Sequence, residues 1–122
     1  MPKRSYRLFI EDILESMNLI ETYTRGMDYE LFSKNKLVVD AVVRNIEIIG
    51  EASRNVPMNV REEHPEIPWS RMVGLRNIAT HEYFGFDSTI LWQIIKKNIP
   101  ETKPKIEKLL NEVKTEEGKN KK

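Results

Sequence analysis

The run Arg76-Asn77-Ile78-Ala79-Thr80-His81-Glu82-Tyr83 gathers side chains that grip phosphate, trade hydrogen bonds and move protons. A solvated helix face is ordinarily built from Lys and Glu in i,i+4 pairs, and this one is Arg, Asn, Thr, His and Tyr. On a helix advancing about 100° per residue, placing Arg76 at zero puts Tyr83 near −20°, Thr80 near +40°, Asn77 near +100° and His81 near +140°. Met72, Leu75, Ile78 and Ala79 fall on the opposite arc and form the apolar stripe. Arg with His suits phosphodiester chemistry: the imidazole carries a proton near neutral pH, and the guanidinium fork holds a phosphate and steadies charge that builds on it. Taken singly the residues have plainer readings. Arg76 can be a surface or interface salt-bridge residue, His81 a helix C-terminal cation favoured by the macrodipole, Tyr83 a ring packed on Phe84 or Phe86 with a wet hydroxyl, and Asn77 a partner for nearby backbone.

Other chemistries lack their residues. With no Cys there is no thiolate nucleophile, disulfide framework or thiolate metal site, which fits a reducing cytoplasm. Glu47 and Glu51 lie i,i+4, yet a bundle di-metal site wants Glu-x-x-His pairs and neither His belongs to one, so no metal and no cofactor are expected. His64, between Glu63 and Pro65, reads as a solvated turn residue. The Gly residues are too scattered for a phosphate loop, and no Ser sits in a hydrolase elbow. A formal charge of +1 creates no global field for nucleic acid, so RNA binding needs a local patch or an oligomer that joins patches. Asp40, Arg44, Glu47 and Glu51 run along one helix at three- and four-residue spacing, which reads most simply as an intrahelical ion-pair ladder.

The elements that must position the motif are helical. Phe9, Ile10, Ile13, Leu14, Met17 and Ile20 predict a first helix from Arg4 to Arg25, stopped by Gly26. Asp28 caps a short turn, Ser33 caps a second long helix from Lys34 to about Asn55, and Pro57 ends it. Leu37, Val38, Ala41, Val42, Ile46, Ile48, Ile49 and Ala52 give that helix an apolar band wider than one neighbour needs, leaving part of it for a second protomer. A Pro-rich loop with a turn at Asn59–Glu63 leads to the motif helix, from about Pro68 to His81 or just beyond. Gly85 and Asp87 mark a turn and an N-cap, a fourth helix fails near Asn98-Ile99-Pro100, and a fifth spans roughly Glu101 to Lys114. The expectation is an all-α, up-and-down bundle of about five helices over residues 1–114, with a disordered charged tail over 115–122. No secretory signal or membrane-spanning run is present in this sequence.

The octet, with Arg, four residues, His, one residue and Tyr, resembles the motif of the HEPN superfamily, in particular its HepT-like toxins. Ile48-Ile49-Gly50-Glu51-Ala52 is similar to their second-helix signature, and Ile67-Pro68-Trp69 to their lead-in to the motif helix. The likeness runs from about Tyr6 to Leu110. It implies a dimerising helical bundle whose motif helices face a shared cleft. It further implies a metal-independent endoribonuclease toxin, encoded beside a nucleotidyltransferase antitoxin that neutralises it. Carried over by position, Arg76 and His81 are catalytic, Asn77 supports them, and Tyr83 is the residue modified with AMP. Arg44 and Arg71 are candidate contacts for RNA phosphates. Because Arg76 and His81 lie about 140° apart on an ideal helix, they converge on one phosphate only if two protomers are apposed or the helix unwinds after Thr80. A second reading is a non-catalytic helical dimer that binds a nucleotidyltransferase partner or a nucleotide.

Overall fold

The computed structural model describes the backbone of residues 5–85 and 88–120 and the side chains of residues 5–78 and 88–118. The helices are α1 (Tyr6–Thr24), α2 (Tyr29–Lys34), α3 (Lys36–Asn55), α4 (Met58–Glu63), α5 (Trp69–Gly85), α6 (Ser88–Gln93) and α7 (Ile99–Asn120), with a π turn at Ile94–Asn98 joining the last two. Among the described residues there is no strand, and no helix is long and apolar enough to cross a membrane. The all-α bundle is therefore as the apolar spacing predicts.

Capping sets the boundaries. The Asp28 side chain accepts from Leu31 N–H at 2.8 Å and starts α2, and Gly26, at φ 79°, turns the chain out of α1. The second long helix is capped by Asn35, which accepts from Val38 N–H at 3.1 Å, rather than by Ser33. Ser33 lies inside α2, and its hydroxyl donates to the Glu30 carbonyl at 3.0 Å. The expected N-cap at Asp87 lies outside the described residues.

Helix α3 forms the middle of the bundle, with α1 on one side and α5 on the other, and α7 packs against α1. Its buried face carries Val39, Val42, Val43, Ile46, Ile49 and Ala52, which meet Ile10, Ile13, Met17 and Ile20 of α1 and Ile106, Leu109, Leu110 and Val113 of α7 in one core. Burying each large aliphatic side chain contributes about 1.5–3 kcal/mol, so this shared face is what holds the helices in register. The polar residues on it are satisfied locally: Ser53 Oγ donates to the Ile49 carbonyl at 2.6 Å and Asn45 Nδ2 to the Ala41 carbonyl at 2.9 Å. Leu37 belongs to the part of the expected band that one chain leaves uncovered. It is 81% exposed at the start of α3.

Ion pairs fix the direction of α7 along α1. Lys103 meets Glu21 at 2.6 Å near one end, and Arg7 meets Glu117 at 2.6 Å near the other, so the two helices run antiparallel. Glu117 also accepts from the Ser5 hydroxyl at 2.8 Å. With this anchorage α7 continues through Asn120, beyond the expected helix end at Lys114. The break expected near Asn98-Ile99-Pro100 is instead the π turn, in which Ile99 N–H donates to the Ile94 carbonyl. Pro100 has no N–H to donate and its ring crowds the preceding turn, and the wider turn carries the helix past it.

Candidate active site

Helix α5 begins where the lead-in segment is pinned. Trp69 is buried, and its Nε1–H donates to the His64 carbonyl at 3.0 Å, while Met72 N–H donates to the Pro68 carbonyl at 3.0 Å. His64, at the end of α4, is less solvated than a turn residue was expected to be: its side chain is 21% exposed, with Nδ1 3.8 Å from Glu66 Oε2. The helix then continues without interruption to Gly85, so its backbone does not unwind after Thr80. The His81 and Tyr83 side chains lie outside the described residues, as does that of Thr80.

Arg76 and Asn77 are exposed on α5, and Arg76 has a defined partner on α3. Its Nη1 donates to Glu51 Oε2 at 3.0 Å, with the two side chains 55% and 50% exposed. The helices come close here because Gly50 has no side chain: a Cβ at that position would lie 2.8 Å from the Arg76 amide nitrogen. Arg76, Arg44, Glu47, Glu51 and Asn55 line a groove of about 480 Å³ with Phe9 and Asp12 of α1 and Ile48 and Ala52 of α3. The structure thus brings two of the candidate phosphate contacts, Arg44 and Arg76, to one groove. Arg71 lines a different cavity, with Met72, Leu75, Ile78, Ile94 and Thr102.

The ion-pair ladder expected along α3 does not form as read. Asp40 pairs backwards with Lys36 at 3.5 Å, and Glu51 leaves its own helix for Arg76. No ion pair joins Arg44 to Glu47 among the described residues. Glu51 is therefore the site residue that sequence reasoning misplaced; its signal was an acid directly after a glycine at the edge of an otherwise apolar face. Chemically, the groove offers guanidinium groups for a phosphate and carboxylates and an amide for hydrogen-bond donors. Among the described residues, no three His, Cys, Asp or Glu side chains are placed to share a metal ion.

The family model described as Ribonuclease HepT-like matches residues 13–109, from α1 into α7, and takes in the α3 and α5 walls of the groove. The chain belongs to the HepT-like ribonuclease family. Among similar HepT-like relatives, the Methanocaldococcus jannaschii protein named "Putative RNase MJ1380" is 48% identical over 107 residues, covering 88% of this chain and 98% of its own. A second from that organism, "Putative RNase MJ1216", is 42% identical over 120 residues, 98% of this chain and 97% of its own. The Thermococcus cleftensis protein named "Probable ribonuclease HepT" is 47% identical over 107 residues, with 88% and 97% covered. No solved structure gives a significant match. The HEPN-type, HepT-like resemblance carried by the Arg76–Tyr83 octet is thus the family of the chain as a whole.

Proposed function

We propose that this HepT-like chain is a metal-independent endoribonuclease in which Arg76 and His81 cleave RNA at a cleft shared by two protomers. The observation that carries the reading is the placement of Arg76, within a family match to ribonucleases, on a helix that faces an open groove. The nucleophile is the substrate's own 2′-hydroxyl, so no metal is needed to make one. His81 takes the 2′-hydroxyl proton as the oxygen attacks phosphorus, the bond to the 5′-oxygen breaks, and that oxygen takes a proton from solvent water as it leaves. Arg76 holds the phosphate and balances the charge on its non-bridging oxygens. The products are a 2′,3′-cyclic phosphate and a 5′-hydroxyl end.

Continuity of α5 supports the dimer. On a helix that stays wound through Gly85, Arg76 and His81 leave the axis about 140° apart, and one phosphate meets Arg76 of one protomer and His81 of the partner subunit. Apposing two grooves also brings the Arg44 and Arg76 guanidinium groups of both copies to one cleft, where they must outweigh the carboxylates of Asp12, Glu47 and Glu51 beside them. In this reading the protein acts in the cytoplasm as the toxin of a toxin–antitoxin pair, and a cognate nucleotidyltransferase silences it by adding AMP to Tyr83.

The test is cleavage of single-stranded RNA by purified protein in EDTA. Wild type is expected to cut, and His81→Ala to lower the rate by about 10²–10⁴, the usual worth of a general acid–base group. RNA left intact by both would sink the enzyme and favour the binding module that captures a nucleotidyltransferase or nucleotide.

A further inference from the structure

We propose that Glu51 is a positioning residue for Arg76, holding the guanidinium in the orientation that receives the scissile phosphate. The inference rests on the ribonuclease reading of Arg76 above. Three observations carry it. First, Glu51 Oε2 accepts from Arg76 Nη1 at 3.0 Å across two helices, while the neighbouring charges of α3 either pair backwards, as Asp40 does with Lys36, or do not pair with one another, as with Arg44 and Glu47. Second, both ends of the contact stand on fixed backbone. Gly50 sets α3 against the Arg76 amide with no room for a Cβ, and the Glu51 carbonyl is itself held by Asn55 Nδ2 at 2.8 Å. Third, the pair is about half exposed at each end, and such surface pairs contribute roughly 0–1 kcal/mol to stability. A fold-stabilising role leaves its geometry unexplained.

The electrostatics point the same way. A carboxylate facing the groove repels an incoming polyanion, so its direct effect on RNA binding is unfavourable. What it contributes must pass through the arginine it holds. An arginine side chain has several rotatable bonds, and fixing one guanidinium nitrogen before substrate arrives removes orientational freedom that otherwise counts against the transition state.

Steady-state cleavage with Glu51→Gln and Glu51→Asp, alone and combined with Arg76→Lys, tests this. Glu51→Gln is expected to lower kcat by about 10- to 100-fold, the usual penalty for a misplaced catalytic group, with KM unchanged or lower because a repelling charge has gone. Thermal unfolding should match wild type, and Glu51→Asp should recover part of the loss. In the Arg76→Lys background the same substitution should have little further effect, because residues acting as a unit are non-additive. The Arg76 15Nε signal offers a readout independent of turnover: it should shift and broaden in Glu51→Gln as the guanidinium loses that anchor. Unchanged kcat with an unchanged Arg76 signal overturns the proposal, as does an equal loss with and without Arg76. An active wild type with an Arg76→Ala variant equally active sinks instead the ribonuclease reading on which it stands.

Discussion

Gly50 and Arg76 meet backbone to backbone: a Cβ at position 50 would lie 2.8 Å from the Arg76 amide nitrogen and 3.1 Å from the Arg76 Cβ. No flexible side-chain end is involved that could swing aside. Helices α3 and α5 would have to separate, and the arginine would move away from the carboxylate on the next residue of α3. Gly50→Ala is therefore expected to destabilise the protein by about 1–3 kcal/mol in urea unfolding, the usual cost of overpacking. Its loss of RNA cleavage should persist under conditions where the variant is fully folded. Gly74 supplies the contrast, since nothing lies within 4 Å of a Cβ there. Gly74→Ala should stabilise by about 0.5–1 kcal/mol, the ordinary helix penalty of glycine, and equal effects at the two positions would remove the close approach as an explanation.

Complementation tests the shared cleft. Arg76→Ala and His81→Ala are each expected to be inactive as pure proteins. Mixed dimers, made by unfolding and refolding the two together, should regain cleavage at the one site that receives Arg76 from one chain and His81 from the other. A mixture as silent as its parents would place both groups on a single protomer.

Sedimentation addresses the same arrangement without chemistry. At micromolar concentration the protein should run at twice its chain mass of 14.4 kDa. An active species at the mass of one chain would refute a cleft built from two copies.

Tyr83→Phe separates modification from catalysis. Tyr83 lies within about 20° of Arg76 in helical projection, so AMP on its hydroxyl would bring a phosphate charge beside the guanidinium and repel RNA. The variant is expected to fold, to cleave, and to escape neutralisation when co-expressed with a nucleotidyltransferase that adds AMP to wild type, as read by intact mass. Equal silencing of both proteins with no mass change on either would assign neutralisation to complex formation alone.

Most of the bundle was legible in the sequence because its core is written in local periodicity. Ile10, Ile13, Met17 and Ile20 recur at helical spacing and are all buried, and Asp28 announces α2 by the ordinary chemistry of an N-cap. The features that were not legible depend on partners far along the chain. Ser33 and Asn35 are equally good caps locally, and only the packing of Phe32 into the core, which carries α2 on through Lys34, selects Asn35. Glu51 has acceptable partners on its own helix, and what draws it away is the proximity of Arg76, created by a glycine whose role is invisible until α5 is laid against it. The length of α7 likewise depends on Arg7 and Ser5, more than a hundred residues away. The octet fixed Arg76 and Asn77 on the motif helix, but not that the guanidinium would share a groove with Arg44 and not with Arg71.

The π turn bears on which surface residues can be spared. Leu91, Ile95 and Ile99 are buried and spaced by four. On a regular helix each such step overshoots a full turn by about 40°, so the buried line would drift off the core before reaching Ile106. The extra residue in the turn cancels that slip and keeps the two ends of one rod in phase. Lys96 and Lys97, at its outer side, are exposed; substituting Lys97 should matter little, and substituting Lys96, whose Nζ lies 4.9 Å from the Trp92 ring centroid, should cost about 0.5–1 kcal/mol. Deleting either one changes the count. The rod beyond would rotate by about 100°, carrying Ile106, Leu109 and Val113 toward solvent and Lys103 and Glu117 away from Glu21 and Arg7. At this point of the chain the residue number is constrained where residue identity is not.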